Sequence, residues 1–143
     1  MTDVLEYPYP LDLRWQHVQW LPILFNRFLT SRFGTMSDFD VRGAGMTLWA
    51  AAMQSDPPAT LDDDDRVFAF HLRVPVERWL ELRHRPIGAL YGWVPVNCGG
   101  EQRITHPALL EALEIAVVAA KLRQRGTRGR KMWAPPDAGR RDR

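Results

Sequence analysis

The chain has 143 residues, 45% of them hydrophobic and 10% aromatic, with 19 Lys and Arg against 17 Asp and Glu. That length fills one core and hardly two, and six Trp with six Phe argue against a disordered chain, because large apolar side chains offset the entropy lost on ordering. The single Cys98 excludes an intramolecular disulfide, no secretory start is present, and the longest mainly apolar stretch, around Leu113 to Ala120, is far below the roughly 20 residues of a membrane span, so a cytoplasmic, membrane-free setting is expected.

Charge is placed unevenly. Residues 1–120 hold 10 Lys and Arg against 15 Asp and Glu, a net of −5, and residues 121–143 hold 9 against 2, a net of +7. A basic tail on an acidic body suits contact with nucleic acid or with an acidic partner, and such tails also serve solubility alone.

The stretch up to Leu13 carries Pro8 and Pro10 and no sustained period, which predicts an extended arm. Leu21, Leu24, Phe25, Phe28 and Leu29 then repeat at helical spacing, with Pro22 in the first turn and Gly34 as a C-terminal cap. Ser37 with Asp40 three residues on predicts a capping box for the next helix, whose inner face is Val41, Ala44, Leu48 and Ala52. Gly43 and Gly45 weaken that helix, so a close backbone approach is expected of them; a nucleotide-binding loop fails for want of a preceding strand and a third glycine.

Asp56, Pro57 and Pro58 interrupt the chain, and a helix is expected from about Leu61 to Leu72. Its opening run, Asp62 to Asp65, complements the exposed N–H groups of a helix start, whereas four consecutive helical carboxylates point apart and do not converge on a metal. After a tight joint at Val74 and Pro75, Val76 to about His84 predicts a short helix that buries Val76, Trp79, Leu80 and Leu82. Trp93 to Cys98 and Glu101 to Thr105 read as strands joined by Gly99-Gly100 in a primed turn, with Pro95 restricting its strand to an edge. A lone ribbon on a helical body is a wing. Pro107 opens a last helix with Leu109, Leu110, Leu113, Ala116, Val117 and Ala120 at helical spacing, and Gly126, Gly129, Pro135 and Pro136 predict a flexible tail beyond Arg125.

The expected fold is therefore mainly α: a winged helix-turn-helix with one β-hairpin wing, an extra N-terminal helix and a C-terminal helix, over residues 1–125, followed by the tail 126–143. The stretch from about residue 38 to 106 resembles the YdaU-like family, named for a prophage protein, through Arg42, Gly43, Ala44, Leu48, Pro58, Leu61, Asp62 to Asp64, Phe70 and Trp79. The resemblance covers about half the chain and implies a winged-helix-like domain associated with phage or prophage replication; it names no chemistry.

Arg78, Arg83 and Arg85 lie on the helix that a helix-turn-helix lays against DNA, beside the opposing Glu77 and Glu81. Asn97, Gln102 and Arg103 belong to the wing. The tail adds Lys121, Arg123, Arg125, Arg128, Arg130 and Lys131, able to neutralise phosphates without reading bases, with Asp62 to Asp65 as a rival partner within the chain. His17, His71, His84 and His106 have no paired zinc spacing, Cys98 has no second thiol, and neither a nucleophile elbow nor a phosphate loop is present. No enzyme activity and no cofactor are expected. The reading is a DNA-binding accessory of phage-like replication or transcription regulation, for double-stranded DNA, with a protein-interaction adaptor for a replication or transcription partner as the alternative.

Overall fold

The computed structural model describes residues 4–14 and 25–132. Their elements are β1 (Leu5–Glu6), α1 (Phe25–Thr30), α2 (Arg32–Met36), α3 (Phe39–Met53), β2 (Thr60–Leu61), α4 (Asp65–Leu72), α5 (Val76–Arg83), β3 (Val94–Cys98), β4 (Glu101–Thr105) and α6 (Pro107–Met132). Helices dominate and carry a small mixed four-stranded sheet in the order β1-β3-β4-β2.

The hairpin forms as the glycine pair requires. Gly99 and Gly100 hold φ of 63° and 95°, and Cys98 pairs Glu101 while Val94 pairs Thr105. It is not a lone ribbon, however. Leu5 and Glu6 add in parallel to Val96 and Asn97, and Thr60 and Leu61 add antiparallel to Thr105 and Ile104, so β3 and β4 are the inner strands. Pro95 is tolerated away from an edge because β1 begins opposite Val96 and sets no residue against Pro95.

β2 also moves the start of α4. The expected helix from Leu61 begins only at Asp65, because Leu61 is buried in the sheet and Asp64 caps the helix by accepting from the Arg66 N–H at 2.9 Å. Helix α4 ends with Arg73 in the left-handed region at φ 57°, which turns the chain sharply into Pro75 and α5. Ser37 does not cap α3. Its hydroxyl donates back to the Phe33 carbonyl at the end of α2, and Asp38 takes the cap position.

Val41, Leu48, Phe68, Trp79, Leu109 and Leu113 are completely buried in one core joining α3, α4, α5 and α6. Leu110 and Val117 pack partly buried against it, as does Phe33; Phe28 is half-buried, and Leu24 lies outside the described residues. The first helix's expected apolar face is therefore only partly in view, while α1 and α2 break at Ser31, whose hydroxyl donates to Phe28 and accepts from Gly34.

The two glycines of α3 differ. A Cβ on Gly45 would stand 2.6 Å from Cζ of Phe33, whereas one on Gly43 would meet nothing within 4 Å. Gly43→Ala is expected to raise stability by up to about 1 kcal/mol through helix propensity alone. Gly45→Ala should lower it, since overpacking a filled contact costs roughly 1–3 kcal/mol. Urea denaturation of the two variants checks the pair, and a stabilised Gly45→Ala would contradict the packing.

Helix α6 does not stop at Arg125. It runs through Gly126 and Gly129 to Met132, because its Ala, Leu, Lys and Arg residues are strong helix formers and cations favour a helix C-terminus. Its 26 residues span about 39 Å. Among the described residues no helix is long and apolar enough to cross a membrane.

Candidate nucleic-acid interface

Arg78 and Arg83 lie on α5 and Arg85 just beyond its end, and each guanidinium already faces carboxylates. Arg85 donates from Nη1 to Asp40 at 2.6 Å and to Asp38 at 3.2 Å, and from Nη2 to Glu81 at 2.7 Å. Arg78 reaches Asp40 at 2.9 Å and Glu81 at 2.8 Å. The start of α3 and the end of α5 are thereby locked together. Hydrogen bonds from Arg85 first, then Arg78, hold Asp40 at about 2, and the same two arginines lower Glu81. Arg85 is raised in turn.

The acidic run is answered in the same way. Arg83 pairs with Asp65 at 2.5 Å and Asp63 at 3.3 Å, and Arg66 reaches back to Asp64. Asp65 also accepts from the Trp79 indole at 2.7 Å, the bond that does most to lower its pKa. Arg103 is only 8% exposed; its Nε donates to Thr60 at 2.8 Å and its Nη1 to Asp62 at 2.6 Å, tying β4 to β2 and to the acidic run. Four consecutive aspartates thus serve four different tasks within the fold. Gln102 stands exposed on β4, and Asn97 donates to Glu6 while accepting from the Gly100 N–H of the turn.

The remaining cations sit on α6. Lys121, Arg123 and Arg125 are exposed, and Arg128, Arg130 and Lys131 occupy its last turns. At 100° per residue, Lys121 and Arg125 fall on one side of the helix and Arg123 on the other. The distal half of α6 begins where burial ends: Ala116 is buried, whereas Val118 and Leu122 are 51% and 58% exposed.

A second feature escaped the reading of the sequence. Trp49 of α3, Trp93 before β3 and His106 after β4 gather around a cavity of about 300 Å³, closed by Phe33, Tyr91 and the first turns of α6. The hairpin register could have located two of them, because pairing Val94 with Thr105 places Trp93 opposite His106 one step further out. His106 Nδ1 accepts from the Ala108 N–H at 3.1 Å and caps α6, which fixes the neutral tautomer with the proton on Nε2. Arg27 and Glu111 pair at 2.7 Å on the rim.

Burial pushes His106 down to about 4 from an ordinary 6.5. The unfolded chain therefore takes up this proton first as pH falls. The contribution of neutral His106 is complete above about pH 6.5 and is lost progressively between 6.5 and 4, on the order of 2 kcal/mol in all. Asp40 acts in a lower window, below its ordinary 3.8. Thermal melts from pH 7 to 4.5 should show a falling midpoint in the unmutated protein and a flatter one in His106→Asn, which keeps a capping acceptor without titrating. Equal pH dependence in both would contradict the assignment.

Comparison with known protein families, curated proteins and solved structures found no match to this chain.

Proposed function

We propose that this chain is a DNA-binding accessory protein in which a winged helix-turn-helix body carries α6 as its phosphate-binding element. The winged-helix reading is supported by the order α3, β2, α4, α5, β3, β4 and by β4 lying between β2 and β3, which joins the strand after the first helix to the hairpin. The left-handed Arg73 supplies the tight turn between α4 and α5. The phage-replication setting comes from the resemblance to the YdaU-like family.

One observation carries the location of the interface. Arg78, Arg83, Arg85 and Arg103 are neutralised inside the fold, so the excess positive charge of the chain lies in residues 121–143, and six of its nine cations are on α6. Phosphate contact through Lys and Arg releases condensed counterions, which makes affinity fall steeply with salt. Titrating the full chain with double-stranded DNA across salt concentrations tests this directly. A steep linear decline of log affinity against log salt is expected, and binding indifferent to salt would remove the reading.

A protein-interaction adaptor is the alternative, and the exposed Phe39 and Phe70, 86% and 77% accessible, favour it. In that reading the charge-balanced surface of α3, α4 and α5 docks a replication or transcription partner through its apolar residues.

A further inference from the structure

The aromatic cavity lies beside the helix that bears the basic charge. Ile115 lines it, and Lys121 follows six residues later on the same helix, about 9 Å along the axis and roughly 120° around it. A ligand that enters the cavity and continues along α6 must therefore be flat, apolar on its faces and polyanionic along its length. Arg32, exposed at the cavity wall, adds a further cation at the mouth.

The walls supply stacking surfaces and hydrogen-bond donors. His106 sits 5.1 Å from the Trp49 ring and 6.1 Å from the Trp93 ring, and it presents a protonated Nε2 beside Gly92. Neither that Nε2–H nor the indole N–H of Trp49 or Trp93 has an acceptor among the described residues. None of the three is a buried unsatisfied atom, so each donor is open to the cavity, where it suits a base whose edge carries carbonyl or ring-nitrogen acceptors. In a duplex those faces and edges are stacked and paired. Only an unpaired strand presents them.

We propose that this cavity takes one base of single-stranded DNA against the wall formed by Trp49, Trp93 and His106, with the phosphates continuing onto the basic half of α6. The inference rests on the phosphate-binding role of α6 and adds strand selectivity to it. Gly92, at φ 83°, belongs to the site because a Cβ there would stand 2.6 Å from His106 Nε2 and crowd the donor.

The test uses the full chain and four 20-mers: oligo-dT, an abasic DNA strand of the same charge, a DNA duplex and oligo-rU. Oligo-dT is expected to bind roughly 5- to 150-fold more tightly than the abasic strand, the range for stacking one base, and to quench tryptophan fluorescence. Trp93→Ala should reduce oligo-dT to the abasic level, Trp93→Phe should retain the preference, and both should bind the abasic strand unchanged. Equal affinity of the unmutated protein for oligo-dT and the abasic strand would overturn the base site even if Trp93→Ala failed to fold; with salt dependence intact, that result leaves the α6 interface standing. Tighter binding of oligo-rU than oligo-dT would overturn the assignment to DNA. Loss of salt-dependent binding to every strand would overturn the α6 reading and this inference with it.

Discussion

Trp79→Ala should lower the unfolding free energy by about 3–5 kcal/mol, the cost of emptying a large core site. Trp79 has no exposed surface, its ring lies 4.9 Å from that of Phe68, and it is the point at which α5 packs onto α4. Its indole also donates to Asp65, so the alanine variant removes a donor as well as a ring. Trp79→Phe separates these effects. It keeps most of the apolar volume and loses the bond to a charged acceptor, worth about 1.5–3 kcal/mol. In that variant the Asp65 carboxyl should titrate closer to its ordinary value, because the Trp79 hydrogen bond is the first cause of its depression. Chemical denaturation reads the stabilities, and carboxyl NMR titration reads Asp65. An alanine variant with an unchanged midpoint would show that this contact does not hold the two helices together.

The parts of this fold visible in the sequence are those set by local rules. Val41, Ala44, Leu48 and Ala52 repeat at helical spacing and are all buried, and Gly99-Gly100 specifies both the turn and the register of β3 and β4. β1 and β2 escaped because two residues show no alternation, and what makes them strands is pairing with Val96 and Ile104, distant in sequence. The same distance hid the electrostatics of α5. Arg85 and Asp40 are 45 positions apart, so residue type alone presented a cation open to phosphate where the fold has an ion-paired clamp. Gly126 and Gly129 misled in the opposite direction, since two helix-weakening residues do not outweigh the helix formers around them.

Changing Lys121, Arg125, Arg128, Arg130 and Lys131 together to Gln should reduce the slope of log affinity against log salt by about 4–5 units, at roughly 0.9 per phosphate neutralised on duplex DNA. Gln is close to Lys and Arg in helix propensity, so α6 should persist and circular dichroism should be unchanged. The contrast that gives this experiment its force lies at Arg78 of α5 and Arg85 just after it. Arg78→Gln and Arg85→Gln remove as much formal charge per residue, but those guanidinia already answer Asp40 and Glu81. Their loss frees carboxylates rather than phosphate sites, and it should weaken the α3–α5 clamp while leaving the slope nearly unchanged. If the Arg78 and Arg85 variants flatten the salt dependence and the α6 variant does not, the DNA lies against the α3–α5 face with the ion pairs exchanged for phosphates. If neither does, what binds this chain is held by its apolar surface, and the exposed Phe39 and Phe70 become the residues to change next.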